Sequence, residues 1–121
     1  MKSVRILIAE DEGIVALDLK YSLISMGFQV VGVASTGQDA VRQAEQFLPD
    51  LILMDIRLQG EMDGVQAASK IMAKLQIPVI YLSAMADKST IQRAMKTMPH
   101  GFVTKPFLES ELRAAIEEAL E

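Results

Sequence analysis

Four short apolar runs in this chain each end at a polar residue. Continuous apolar runs of this length are typical of strands buried in a parallel sheet. The carboxyl ends of parallel strands lie along one edge of the sheet, which is where open sheets of this kind bind ligands. The pattern therefore predicts that carboxylates, a hydroxyl and an ammonium group meet in one crevice. In chain order, the residues that follow the four runs are Glu10-Asp11, Asp55, Ser83 and Lys105-Pro106.

Segments with helical periodicity separate the apolar runs and predict five helices. In the first helix, apolar residues recur every three or four positions, and Gly27 follows as a residue type favoured just beyond a helix end. Thr36 and Asp87 are predicted to cap the second and fourth helices. The periodic apolar residues are Ile14, Leu17, Tyr21 and Ile24 in the first helix, and Ile91, Ala94, Met95 and Met98 in the fourth.

Strand and helix alternate five times, with strands predicted at 4–9, 29–33, 51–54, 79–82 and 102–104. Strict alternation with short connections predicts an α/β fold with parallel strands and right-handed crossovers. The third and fourth strands lack polar alternation, so we expect them at the centre of the sheet. Residues 1–121 are expected to form a single domain.

The composition restricts the classes of function. The absence of cysteine excludes a disulfide framework, a thiolate metal site and a thiol nucleophile. The net charge is −4 and no Lys/Arg cluster is present, so we expect no nucleic-acid partner. No apolar stretch approaches the ~20 residues of a membrane span, and the first apolar run is too short for a signal peptide. We therefore expect a cytoplasmic protein without a membrane partner.

Asp55 is the predicted nucleophile, because a carboxylate can accept a phosphoryl group as an acyl phosphate. A divalent cation must offset the charge when this anion attacks a phosphoryl donor. Mg²⁺ prefers oxygen ligands and needs only one or two carboxylates in addition to the phosphate. Glu10 and Asp11 supply such carboxylates beside Asp55, and the backbone carbonyl of Arg57 is a further candidate ligand.

Two further residues would contact the phosphoryl oxygens. Lys105 offers a point charge and Ser83 a hydroxyl donor. Each residue alone is a weak signal, because a helix cap, a turn or a loop can also account for it, and their occurrence at the same end of successive strands favours a phosphoryl-transfer site. His100 stands without another histidine or a cysteine, so we interpret it as a solvated side chain and not as a ligand.

The chain resembles a response-regulator receiver domain of two-component signalling over essentially its whole length. The motifs that carry the resemblance are ILIAEDE (6–12), LILMDIRL (51–58), MDG (62–64), YLSA (81–84) and FVTKPF (102–107). The resemblance implies a flavodoxin-like three-layer sandwich of five βα units, with a parallel sheet of strand order 2-1-3-4-5. It implies phosphorylation at Asp55, Mg²⁺ held by Glu10 and Asp11, and a phosphate-binding Lys105 joined to Pro106 by a cis peptide bond. It also implies that Ser83 and Phe102 form the switch.

The chain departs from the usual pattern of this family in two places. Position 59 is Gln where the family usually has proline, and the stretch from Asp55 to Gly64 is one residue longer than the common form. Arg57 and Met85 occupy the positions that border the phosphoryl group in the family. The resemblance therefore does not imply how long the phosphoryl group stays on Asp55.

The leading hypothesis is a phosphorylation-controlled switch that catalyses only its own phosphorylation and dephosphorylation and is not a turnover enzyme. The implied partners are a histidine kinase or phosphotransfer protein, and a second copy bound through the face formed by the fourth helix, fifth strand and fifth helix. The alternatives are a pseudo-receiver scaffold, or a receiver cut from a longer hybrid kinase or regulator. A flavin-binding module is disfavoured because Glu10, Asp11 and Glu12 would repel a phosphate. A dehalogenase-type phosphatase would need an aspartate where Arg57 stands.

Overall fold

A computed structural model of the chain describes residues 3–84 and 87–121. Within these residues, five parallel strands form one sheet of order β2-β1-β3-β4-β5, and a helix follows each strand. The strands are β1 (Arg5–Ala9), β2 (Gln29–Ala34), β3 (Leu51–Asp55), β4 (Val79–Ser83) and β5 (Gly101–Thr104). The helices are α1 (Gly13–Ser25), α2 (Gly37–Phe47), α3 (Gly64–Lys74), α4 (Lys88–Lys96) and α5 (Glu109–Ala119). The predicted flavodoxin-like fold and strand order are confirmed.

The sheet lies between two layers of helices, because alternate residues of each strand face opposite sides. Leu7, Ile52 and Tyr81 belong to the core that includes residues of α2, α3 and α4. Their neighbours on the strands belong to the second core, together with residues of α1 and α5. All residues of β3 and β4 are buried, as predicted for the central strands.

The helix ends that were predicted from local sequence signals are present in the structure. The Thr36 hydroxyl accepts a hydrogen bond from the backbone N–H of Asp39 at 3.1 Å, which caps α2. Asp87 caps α4 by accepting from the N–H of Thr90 at 2.8 Å. Gly27 has a φ of +95°, the left-handed conformation expected just beyond a helix.

The predicted apolar stripe of α1 faces solvent. Helix α1 instead buries Ala16, Leu19 and Leu23 against the sheet. The helix is apolar on nearly all sides, so spacing alone could not identify its inner face. The exposed residues are Ile14 (86% exposed), Leu17 (52%), Tyr21 (63%) and Ile24 (48%).

The stripe predicted for α4 is also only partly buried. Ala94 is fully buried and Ile91 is half-buried, whereas Met95 and Met98 are exposed. Met98 lies beyond the end of the helix with a φ of +57°, so it does not continue the helical periodicity. Across the described residues, no helix combines the length and the apolar character that a bilayer crossing requires.

The connection from β3 to α3 (residues 56–63) is fixed at several points. Ile56 donates its N–H to the carbonyl of Leu82, and Gln59 forms a parallel bridge with Thr36. Gly64, at the start of α3, donates to the carbonyl of Ile56 at 2.9 Å. A Cβ at Gly64 would lie only 1.9 Å from the carbonyl oxygen of Asp55. Helix α3 can therefore start this close to β3 only because this residue is glycine.

We expect Gly64→Ala to lower the free energy of unfolding by about 1–3 kcal/mol, because the new methyl group must displace backbone at Asp55. Urea unfolding followed by circular dichroism measures this. Gly13→Ala is the matched control, since a Cβ there meets nothing within 4 Å and alanine favours the helix. Equal stability of the two variants would contradict the close contact.

Candidate functional site

The register between β1 and β3 brings acidic residues together at the carboxyl edge of the sheet. Ala9 lies opposite Met54, so Glu10 and Asp55 come next to each other. Glu10 and Asp55 are buried, and Asp11 is partly exposed. One carboxylate oxygen from each of these three residues lies within 4.8 Å of the others. The three acidic residues predicted from the sequence therefore form one cluster.

The register between β4 and β5 places the predicted lysine against this cluster. Ser83 lies opposite Thr104, and the backbone N–H of Lys105 donates to the carbonyl of Ser83 at 2.6 Å. The Lys105 ammonium then donates to Glu10 Oε1 at 2.5 Å and to Asp55 Oδ2 at 3.0 Å. The single positive charge of Lys105 therefore contacts two buried carboxylates. The predicted cis peptide bond between Lys105 and Pro106 is also present.

Burial controls the electrostatics of the site. Burial raises the pKa of Glu10 to about 7; the nearby Asp55 carboxylate also raises it, while the hydrogen bond from Lys105 lowers it. Burial acts to lower the pKa of Lys105, but its hydrogen bonds and charge interactions with the two carboxylates outweigh burial and raise it. Lys105 therefore remains charged, and it is the cation that compensates Glu10 and Asp55.

The two oxygens of Asp55 have different partners. Oδ1 accepts from the backbone N–H of Arg57 at 3.0 Å, and Oδ2 accepts from Lys105. A cavity of about 270 Å³ opens at this carboxylate, and Asp11, Arg57 and Ser83 also line it. The structure therefore brings the predicted nucleophile, hydroxyl and ammonium to one cavity that a small phosphorylated group can enter.

The residues present fit a magnesium ion. Three carboxylates in one cluster supply the hard oxygen donors that Mg²⁺ prefers, and a phosphate would complete the charge balance. Asp11 and Asp55 line the cavity and would contact the ion, whereas Glu10 is fully buried and would act from behind them. Arg57 lines the same cavity, and its backbone carbonyl as a ligand stays a prediction.

Phe102, the predicted switch aromatic, lies on β5 and is half-buried. Its ring packs edge-on against Tyr81, with ring centroids 6.5 Å apart and an angle of 62°. The Tyr81 hydroxyl lies 2.7 Å from the hydroxyl of Thr97, just beyond α4. Phe102 is therefore connected through Tyr81 to α4, while its movement on phosphorylation stays a prediction. Met85 lies outside the described residues, and His100 is exposed.

The sequence analysis missed an apolar groove beside the site. A cavity of about 450 Å³ lies between α1 and the segment after β5, and Lys105 forms part of its wall. Ile14, Val15, Pro106 and Phe107 supply its apolar lining. The signal was present in the sequence, because α1 carries more apolar residues than one buried face needs.

Comparison with known proteins shows similarity along nearly the whole chain. A sequence model of the response regulator receiver domain matches residues 6–117. The chain is 40% identical over 116 residues to the transcriptional regulatory protein PdtaR of Mycobacterium tuberculosis, covering 96% of this chain and 56% of PdtaR. It is 35% identical to the chemotaxis protein CheY of Bacillus subtilis, covering 96% of this chain and 97% of CheY.

Solved structures give the same match. The signal receiver domain of a modulated diguanylate cyclase from Desulfovibrio desulfuricans superposes with a TM-score of 0.94 at 37% identity, over 98% of this chain and 94% of that one. The chain spans about half of the length of the curated relatives PdtaR and PhyR, the phyllosphere-induced regulator of Methylorubrum extorquens, and nearly all of CheY.

We expect Mg²⁺ to raise the melting temperature relative to EDTA, because a divalent ion relieves repulsion among the carboxylates and binds only the folded chain. Asp11→Asn should remove most of this increase. Asp18→Asn, which removes the same charge from an exposed position on α1, should retain it. A wild-type melting temperature that is the same in EDTA and in saturating Mg²⁺ would contradict the metal site.

Proposed function

Since the chain belongs to the response regulator receiver domain family, we propose that it is a cytoplasmic phosphoacceptor switch of a two-component phosphorelay. The observation that carries the proposal is the buried Asp55 carboxylate, held by the Lys105 ammonium beside Glu10 and Asp11 at an open cavity. This arrangement supplies an acceptor oxygen, a group of carboxylates that can hold a metal ion, and a cation for a transferred phosphoryl group.

In the proposed reaction, one oxygen of Asp55 attacks the phosphorus of a phosphohistidine. The new O–P bond forms an acyl phosphate, the P–N bond breaks, and the imidazole nitrogen leaves with the electron pair of that bond. Mg²⁺, when bound at the acidic cluster, would offset the charge of the two reacting anions. Lys105 would bind a phosphoryl oxygen and Ser83 would donate to another. The protein's contribution is positioning and charge compensation, so the chain acts on itself and is not a turnover enzyme.

The switch would begin at Ser83. Its movement toward the phosphoryl group would leave space for Phe102 to turn inward, which would change the face formed by α4, β5 and α5. Local charge changes of this kind are known to bias a distant contact surface. The edge-on contact between Phe102 and Tyr81 supports this route, because it joins β5 to β4 and the Tyr81 hydroxyl then contacts Thr97 at the end of α4.

The exposed stripe of α1 is the surface that we assign to the phosphodonor. Exposed apolar residues in one contiguous row are typical of protein interaction sites. The row includes Ile14, which also lines the groove that ends at Lys105. A histidine kinase or phosphotransfer protein seated on α1 would therefore hold its phosphohistidine next to Asp55.

A homodimer through α4, β5 and α5 is a further proposal. Helix α4 carries three basic side chains and no acidic one, whereas α5 carries four glutamates and one arginine. Two copies related by a two-fold axis would bring each α4 against the partner copy's α5 with opposite charge. The exposed Met95 lies on α4, where an adaptable side chain suits such a contact.

A pseudo-receiver scaffold is the alternative function, and the chain is then an interaction module that is never phosphorylated. The presence of Glu10, Asp11, Asp55, Ser83 and Lys105 in one cluster disfavours it. Either function is compatible with a receiver that is one domain of a longer protein.

Phosphorylation is tested with acetyl phosphate and Mg²⁺. We expect intact-protein mass spectrometry to show the gain of one phosphoryl group, and Asp55→Asn to abolish it because the nucleophilic carboxylate is gone. Asp18→Asn should be phosphorylated like the wild type. If the wild type gains no mass, or if Asp55→Asn still gains it, the proposed acceptor is wrong.

Donor docking is tested on α1. We expect Ile14→Ala to slow phosphotransfer from a histidine kinase that phosphorylates the wild type by about tenfold, the loss of one well-buried apolar contact. The rate with acetyl phosphate should be unchanged, since a small donor needs no docking surface. Leu120→Ala, at an exposed apolar position beyond α5, is the control. Equal slowing with both donors would refute a docking role.

The switch is tested with beryllofluoride and Mg²⁺, which together mimic the phosphorylated state. We expect larger amide chemical-shift changes in residues 83–105 than in residues 28–48, because the first range joins Ser83, α4 and Phe102. Changes restricted to the immediate neighbours of Asp55 would exclude the switch and leave phosphorylation intact.

A further inference from the structure

We propose that the ion pair between Arg93 and Asp63 is an autoinhibitory latch, which holds α4 in its unphosphorylated position. The inference rests on the proposed phosphoacceptor function and adds a regulatory contact to it. Nη2 of Arg93, on α4, lies 2.8 Å from Oδ2 of Asp63, which immediately precedes α3. The pair thus joins α4 to the loop that continues from the phosphoacceptor strand.

Helix α4 is weakly anchored by apolar contacts. Among its residues, all of which the structure describes, only Ala94 is fully buried. By comparison, α5 buries Leu112, Ile116 and Ala119. The position of α4 therefore depends strongly on its polar contacts, and the loss of one of them should make local opening of the whole helix easier.

The Asp63 end of the latch is rigid. Its Oδ1 accepts from the N–H of Gln66 at 2.9 Å, and the Gln66 side chain accepts from the N–H of Asp63 at 3.0 Å. The next residue, Gly64, is packed against the carbonyl of Asp55 with no room for a Cβ. Asp63 is consequently fixed relative to the phosphoacceptor, and its second oxygen, Oδ2, is directed to Arg93.

A second polar contact holds α4 on the side of the switch aromatic. The Tyr81 hydroxyl donates to Thr97 Oγ1 at 2.7 Å, and Thr97 in turn donates to the carbonyl of Ala94 at 2.6 Å. Tyr81 also packs against Phe102. A shift of α4 away from Asp63 that follows movement of Ser83 and Phe102 would therefore lengthen the Arg93–Asp63 pair, which does not belong to the moving switch.

Loss of the latch should make the phosphorylated arrangement easier to reach. A ligand that selects one of two states binds more tightly when the competing state is destabilised. Both side chains are partly exposed, with 48% of Arg93 and 34% of Asp63 accessible to solvent. An ion pair of this kind corresponds to an effect of about two- to fivefold. The direction of the change in beryllofluoride affinity distinguishes the latch from a simple charge effect. Loss of the positive charge of Arg93 would by itself weaken the binding of an anion, whereas loss of the latch should strengthen it.

Two variants break the pair without removing the helix cap. Arg93→Gln removes the cation, and Asp63→Asn removes the anion while keeping an oxygen that can accept from Gln66. Glu45→Gln is the matched control, because it breaks the exposed Lys74–Glu45 pair between α3 and α2. Each variant and the Asp63→Asn/Arg93→Gln double variant is compared with the wild type by amide hydrogen exchange without ligand, and by titration with beryllofluoride at saturating Mg²⁺.

We expect each single variant to accelerate exchange in α4 and to bind beryllofluoride more tightly, both by about two- to fivefold, and the double variant to match the singles. Glu45→Gln should change neither quantity. Unchanged exchange in Arg93→Gln, or additive effects in the double variant, would overturn the latch. Faster exchange without tighter beryllofluoride binding would overturn its autoinhibitory role. Failure of the wild type to bind beryllofluoride would count against the proposed function. The hydrogen-exchange data would still test whether the Arg93–Asp63 pair holds α4.

Discussion

The crowding of negative charge at the carboxyl edge of the sheet is the constraint on which the rest of the site depends. Glu10 and Asp55 are buried, so water screens their repulsion only weakly, and burial raises the pKa of Glu10 to about 7. One ammonium, that of Lys105, compensates both carboxylates. In this structure the negative charge of the two carboxylates is therefore balanced by the Lys105 ammonium. If a metal ion and a phosphoryl group were to balance that charge instead, Lys105 would have to take a new partner.

The sequence predicted this site because its residues follow from strand register. Apolar runs with no polar alternation specify central parallel strands, and parallel strands end at a common edge. The residues after Ala9, Met54 and Thr104 therefore had to be neighbours once strand order was known, and the register confirms it. The fold was predictable for the same reason, since strict alternation of strand and helix leaves few topologies.

Other features were not predictable because they depend on contacts between distant residues. Helix α1 is apolar on most sides, so periodicity could not say that Leu19 and Leu23 would be buried and Ile14 exposed. The pair joins Arg93 on α4 to Asp63, 30 positions earlier at the cap of α3, and nothing in the local sequence of either residue marks it. Such contacts depend on how neighbouring helices pack on the sheet, which residue spacing does not encode.

The chain contains two tyrosines and no tryptophan, and the two occupy opposite environments. Tyr21 is exposed on α1, whereas Tyr81 is fully buried, with its ring against Phe102 and its hydroxyl bonded to Thr97. Intrinsic fluorescence therefore arises from one solvent-facing emitter and one emitter enclosed between β5 and α4. Replacement of Tyr21 by phenylalanine would leave Tyr81 as the sole fluorophore with a tyrosine spectrum. The unlabelled protein would then report optically, and in real time, on the packing between its fifth strand and fourth helix.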